Sequence, residues 1–342
     1  MVHSIPYSPE SLSPRPTETK ILFTQRDPPV AYLHSTEAYF PSDIGSHLAH
    51  TRPEDSSGAV LTLPTSSSPL TLSNLDELNA FANSGADVYL TSKEGIEALP
   101  AWFQGTRPSA DGTTGASTVA SAIVTVAKAN DTLDAFYFYF YAYNQGNWVL
   151  GSQALEFGDH VGDWEHTMVR FVHGVPQSVY FSQHSAGQAF AYPAVQKAGG
   201  LRPVVYVAKG THANYAMPGP HDHTIPGLNT QLGPLTDHTD AGVFWDPLPG
   251  ALCYDYNIAD GSFVPYTNAA TATATATPPS AWLNFNGRWG DNQLPDSTKG
   301  QLDVFGQRTY VAGPTGPRDK DLARKGVCPD GHSCVVMPVL VP

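Results

Sequence analysis

The sequence predicts an all-β protein, a jelly-roll-like β-sandwich with long loops and a few short helices. Thirty glycines and thirty prolines are spread along the 342 residues, which interrupts long helices and favours short strands joined by turns. The most strongly patterned part of the chain also alternates with the period of two that a strand imposes. The length suits one elaborated sandwich over 21–342, behind a flexible Ser/Pro-rich tail at 1–20 and carrying an Ala/Thr-rich loop insertion near 265–280.

In chain order, the best helix candidate is SNLDELNAFANSG, 73–85. Ser73 and Asp76 fit a capping box, Leu75, Leu78 and Phe81 share one face, and Gly85 can end it. A hairpin follows: AIVTVAKA at 122–129 favours strand, Asn130 and Asp131 supply turn chemistry, and LDAFYFYFYAY at 133–143 returns. In that return strand Phe136, Phe138 and Phe140 point one way, toward a core. Tyr137, Tyr139, Tyr141 and Tyr143 point the other way. Their apolar bodies and polar tips suit either a second, wetter layer or the wall of an aromatic substrate pocket, which Asn144 and His166 would extend. Further strands are expected at 164–171, 178–184 and 203–209. The last two run into loops that carry His184, and Lys209 with His212.

Charge and composition narrow the partners. A formal charge of −13 opposes binding to phosphate backbones and anionic membranes, so nucleic acid is excluded as a partner. No stretch approaches the ~18 apolar residues of a membrane span, and the amino terminus lacks the apolar run of a signal peptide. The expected address is cytoplasmic, with a vacuole-related one as the alternative. There the three cysteines would be kept reduced, although Cys328 and Cys334 in CPDGHSC can close a small loop. A zinc site built on them adds His332 and stays one ligand short.

Chemistry concentrates in GDHVGDWEH, 158–166. On a strand, Asp163 and Glu165 share one face while Trp164, His166 and Met168 share the other. Two adjacent carboxylates resist joint ionisation unless a cation, a basic group or a shared proton compensates. Gly158 and Gly162 let His160 fold back toward the pair. The resulting H-x-x-D-x-E set of His160, Asp163 and Glu165 suits a divalent metal with positions open for water or substrate. Magnesium, calcium or manganese fits this oxygen-rich set best, and zinc is allowed. His184, His212 and Lys209 are the candidate acid–base groups. A buried, backbone-bonded imidazole is the alternative for each histidine.

FYFYFYAYN, GDHVGDWEH, YFSQHSAG, AKGTHANYAMPGPHDH and FNGRWGD, with AYLHSTEAYFPSDIG before them, resemble the fungal vacuolar protein sorting-associated protein 62 family. The resemblance covers about 30–293 and implies a sorting context without a defined reaction. The HVGDWEH segment after an aromatic strand is also similar to the core motif of the necrosis- and ethylene-inducing peptide-like (NPP1-type) cytolysins. Those are secreted β-sandwiches that hold a divalent cation and grip sphingolipid headgroups through it. That likeness implies His160, Asp163 and Glu165 as ligands. The further acid ligand those proteins place upstream has no counterpart in YAYNQGN.

Two function classes follow. One is a metal-dependent enzyme, of hydrolase or lyase (cyclase) type, acting on a small, partly apolar substrate with histidine as acid and base. The other is a binding module that uses the cation to hold a lipid or glycan headgroup in vacuolar sorting. The thirteen histidines favour the enzyme, because binding alone has little use for groups that titrate near neutrality.

Overall fold

The computed structural model describes residues 28–342 apart from 65–67, 110–118, 120, 150–151, 153–154, 226–227, 231–234, 269, 272–275, 305, 332–333 and 341–342. The 1–20 tail and part of the 265–280 insertion lie outside the described residues. The aromatic run forms the strand Thr132–Asn144 and the acid–imidazole motif the strand His160–Val172. They pair antiparallel along their length, Tyr141 opposite Asp163 and Tyr139 opposite Glu165.

These two strands lie at the centre of an eight-stranded sheet. Its order is Phe263–Tyr266, Ala251–Tyr256, Ser121–Lys128, Thr132–Asn144, His160–Val172, Val175–Gln183, Ala186–Ala191 and Val336–Met337. The hairpin forms as the sequence predicts, with Lys128 opposite Thr132. Asn130 and Asp131 take φ of 58° and 51° in its loop, a left-handed conformation that their short polar side chains tolerate. A second sheet runs Lys197–Ala198, Arg202–Val207, Val30–Leu33 and Val243–Trp245, with Asn214–Tyr215 added beside Arg202–Val207.

The two sheets pack face to face. Tyr137, Tyr139, Tyr141, Val169, Phe171 and Phe181 of the large sheet meet Ala31, Leu33, Val205, Val207 and Trp245 of the small one in a single buried cluster. The opposite face of the large sheet is covered too, by Ile44, Leu48, Leu75, Leu78, Trp282 and Trp289 against Phe136, Phe138, Phe140, Trp164 and Met168. Central strands buried on both faces need apolar bodies on both, and each buried Phe contributes about 1.5–3 kcal/mol. This explains a run that is aromatic at every second position on either side. Tyr137, Tyr139 and Tyr141 therefore fill a core layer rather than a wetter one.

Three expectations change in detail. The helix at 73–85 is a 3₁₀ turn, Leu75–Ala80: the Asn74 side chain accepts from Thr71 N, and Ala82, Asn83 and Ser84 all take positive φ, which stops propagation. The strands at 178–184 and 203–209 end earlier, at Gln183 and Val207. Cys328 and Cys334 are joined in a disulfide rather than kept as reduced thiols; His332 lies outside the described residues. A helix the sequence reading did not foresee, Ile44–His50, is capped by Asp43, whose side chain accepts from Ser46 N at 2.6 Å. No described helix is long and apolar enough to cross a membrane.

Candidate functional site

The motif strand carries its acids on the face turned toward the small sheet. At its start Gly162 takes a φ of +66°, and a Cβ there would stand 2.1 Å from the carbonyl oxygen of Trp289. Only glycine fits, and the local twist holds His160 where the charge of Asp163 reaches it. The His160 Nδ1 donates to the Gly162 carbonyl at 2.7 Å. Burial, only partly offset by Asp163, holds this imidazole below its ordinary pKa, so it is neutral with Nε2 carrying the lone pair. A backbone-oriented imidazole of this kind is a typical prepared metal ligand.

Asp163 and Glu165 are both almost fully buried. Asp163 Oδ2 accepts from His212 Nδ1 at 3.1 Å, and His212 Nε2 donates to the Tyr39 carbonyl at 2.9 Å. Burial alone would discharge His212. The bond to Asp163 and the field of Glu37 outweigh it and raise its pKa, so both ring nitrogens donate and the ring is a cation. Glu165 accepts from the Ser182 hydroxyl. Burial first, then the charge of Asp163, pushes its carboxyl up to about 8. It is thus largely protonated at neutral pH.

His184 lies on the open side of this patch. Its Nε2 donates to Asp237 Oδ2 at 2.8 Å while its side chain keeps 31% of its surface exposed. Asp237 is buried and held from all sides: Thr211 Oγ1 at 2.7 Å, Tyr215 OH at 2.7 Å and Asn147 Nδ2 at 3.1 Å donate to it. Burial works against its charge, but His184 and His223 outweigh burial and hold Asp237 below the usual carboxylate range. Burial lowers the pKa of His184, but the charge and hydrogen bond of Asp237, with the fields of Glu165 and Asp163, outweigh it and raise the pKa. His223 stacks on His184 with ring centroids 3.9 Å apart. His184 and His212 also share a backbone feature, φ of 53° and 55°, a left-handed conformation that costs a non-glycine residue about 1 kcal/mol and tends to occur where function requires it.

Of the residues the sequence singles out, the fold gathers His160, Asp163, Glu165, His184 and His212 into one patch. Lys209 stands on the loop that also supplies Thr211 and His212, its Nζ 5.6 Å from the Trp148 ring centre. His166 lies on the other face of the strand, among Phe136, Phe138 and Tyr180 with Arg324 Nη2 at 3.3 Å. The period of two separates it from Asp163, so it lines no pocket with the acids. Tyr137, Tyr139 and Tyr141 are 0–2% exposed, and Asn144 donates to the Gly158 carbonyl. Tyr143 borders a cavity.

The donor set of His160, Asp163 and Glu165 fits a divalent cation chemically. A neutral imidazole and two carboxyl groups are ligand types that such an ion takes, although Asp163 already pairs with His212. Those three donors do not already converge. Among the described residues, His184, His223 and Asp237 form the group whose ligand atoms lie within 4.8 Å of one another. Its carboxylate, however, is already saturated by hydroxyl, amide and imidazole donors.

Sequence reading missed Asp237, His223, Tyr215 and Ser182. The available signal was HDH at 221–223, where alternation on the strand Gly219–Ile225 puts two imidazoles on one face. Asp237 gave none, because TDHT sits among turn residues.

A family model described as vacuolar protein sorting-associated protein 62 matches residues 132–301, the segment that supplies nearly all of this patch. Two proteins of Saccharomyces cerevisiae are similar over most of the chain. The "Putative vacuolar protein sorting-associated protein TDA6" is 35% identical over 327 residues, and vacuolar protein sorting-associated protein 62 is 32% identical over 324. Each comparison covers 88% of this chain and 66% of the relative, so the chain spans just under two thirds of their length. The crystal structure of Necrosis and Ethylene inducing Protein 2, from the causal agent of cocoa's witches' broom disease, aligns with 63% of this chain and 72% of its own. At 13% identity and a TM-score of 0.26, that likeness carries no argument about chemistry.

Proposed function

The chain belongs to the vacuolar protein sorting-associated protein 62 family, and on that premise we propose that it serves a vacuole-related sorting role through acid–base chemistry of hydrolase or lyase type on a small, partly apolar substrate, with His184 moving the proton. The observation that carries this is the His184–Asp237 pair. Asp237 fixes the Nε2 proton of His184 and favours its protonated ring, and the partly exposed imidazole can then use Nδ1 toward a ligand. An acid that orients a histidine and stabilises its imidazolium as the proton arrives serves general acid–base catalysis. Thr211, Tyr215 and Asn147 hold that acid in place, so the geometry is preorganised. His212 has both nitrogens engaged and contributes a fixed positive charge beside Asp163 rather than a mobile proton. Lys209 lies over Trp148 instead, and the lysine whose field reaches His160 and Glu165 is Lys320. A divalent cation bound by His160, Asp163 and Glu165 would supply Lewis-acid polarisation of a substrate oxygen.

The test is turnover of a panel of chromogenic carboxyl esters, phosphoesters and glycosides by the purified chain and by His184→Ala. The expected result is activity on one class that falls about 10²- to 10⁴-fold in the variant, measured at a temperature where both proteins remain folded. Activity unchanged in the variant, or no turnover by the wild type on any class, removes the catalytic reading. A headgroup-binding module would instead retain vesicles without altering their lipids.

A further inference from the structure

A separate cavity of about 230 Å³ opens beside this patch, divided from it by Tyr39. The backbone carbonyl of Tyr39 accepts from His212, and Tyr39 lines the cavity together with Tyr143 and Tyr310. Tyr39 and Tyr143 pack edge to face, ring centroids 4.7 Å apart. The charged groups in the lining are all acids, Glu97, Glu156 and Asp159, with no Lys, Arg or His among them. Two buried acceptor atoms there have no hydrogen-bond partner among the described residues, Glu156 Oε1 and Thr309 Oγ1. Thr309 is itself only 7% exposed. A buried hydroxyl without a partner is unfavourable, so its retention beside a cavity calls for a ligand that satisfies it.

We propose that this cavity binds a small primary alkylammonium, free or as the head of a lipid, with its N–H groups directed at Glu156, Asp159 and Thr309 and its stem against the tyrosine rings. The net negative lining selects a cation. The aromatic rings give an organic cation a favourable face that they do not give a hydrated metal ion. The unsatisfied acceptors want N–H donors, which distinguishes a primary from a quaternary ammonium. The volume, below that of ordinary drug-sized sites, limits the head to a few heavy atoms. None of this depends on the catalytic reading of His184.

Isothermal titration of the full chain with ethylammonium, ethanolamine and tetramethylammonium decides it. The primary amines should bind at least about tenfold more tightly than tetramethylammonium, and Glu156→Gln should weaken them by about tenfold, as expected for loss of a charge-assisted bond. Thr309→Val, which keeps shape, should weaken them several-fold while leaving the melting temperature equal or higher. Phosphatidylethanolamine vesicles, compared with phosphatidylcholine vesicles, distinguish a lipid head from a free amine: retention on the former alone, lost in Glu156→Gln, assigns the lipid source. No binding of either primary amine at millimolar concentration, equal binding of tetramethylammonium, or affinity unchanged in both variants overturns the proposal. His184→Ala should leave amine binding intact, so failure here and failure of the catalytic reading are separable.

Discussion

Tyr141 lies flat on His212, with ring centroids 3.7 Å apart and planes within 3° of parallel. His212 is a cation held between Asp163 and the Tyr39 carbonyl, so the tyrosine presents its electron-rich face to a buried positive charge. The ring, not the hydroxyl, does this: the hydroxyl has no partner among the described residues. Tyr141→Phe is therefore expected to hold stability within about 0.5 kcal/mol of wild type or to raise it, because no bond is lost and a buried orphan disappears. Tyr141→Leu should cost about 2–4 kcal/mol, from lost stacking and reduced burial together. Urea unfolding of the two variants checks the order, and a larger loss for Phe than for Leu would contradict it.

Glu165→Gln separates metal binding from folding more cleanly than any change at Asp163. With its carboxyl pushed up to about 8, Glu165 is mostly the neutral acid at pH 7, and glutamine copies that state. Asp163 by contrast is the counter-ion of His212, and its neutralisation would leave a buried cation unpaired at a cost of about 3–5 kcal/mol. If His160, Asp163 and Glu165 hold a divalent cation as proposed, the expected outcome is a Glu165→Gln protein that folds within about 1 kcal/mol of wild type and no longer takes up that cation. Elemental analysis of both proteins measures this. A full equivalent retained by the variant would place the ion elsewhere.

Tyr215→Phe removes one of the hydroxyls that fix Asp237, a bond of 2.7 Å to a buried charge. Hydrogen bonds to charged groups contribute about 1.5–3 kcal/mol, and that loss is expected on chemical denaturation. If His184 acts through Asp237, turnover should fall in step with the looser anchoring. Stability lost with full activity would make the pair a structural one.

The alternation that marks Phe136 to Tyr143 as one strand and Asp163 with Glu165 as one face is local, and the fold obeys it. Legibility stops where long-range packing decides. That the tyrosines face a second sheet and not solvent depends on Val30–Leu33 and Val243–Trp245, more than a hundred residues away on either side. Sequence alone cannot reveal that covering. A pocket role for His166 beside the acids fails on the same alternation, which sets it on the face opposite Asp163. Asp237 becomes visible only when Thr211, Tyr215 and His184 close around it.

Acid should destabilise the fold through His47, which is buried beneath the large sheet. Its Nε2 donates to the Trp289 carbonyl at 2.9 Å, and its ring packs on Phe140 and Trp102. Burial pushes its pKa down from 6.5 to about 4, against a smaller upward pull from the Trp289 carbonyl. A folded-state pKa below the unfolded one means that the unfolded chain takes up the proton first. The stabilisation is thus complete above about pH 6.5 and is lost as pH falls toward 4. The shift corresponds to about 3 kcal/mol. His221, also pushed down to about 4 by burial, acts in the same direction. His47→Phe keeps an aromatic ring but orphans the Trp289 carbonyl, so it should cost about 1–2 kcal/mol at pH 7. Because phenylalanine takes up no proton, the variant should lose less stability than the wild type between pH 6.5 and 4, while the share due to His221 remains. Urea unfolding at pH 7, 6, 5 and 4 yields both slopes, and parallel pH profiles for the two proteins would show that His47 does not carry the acid sensitivity.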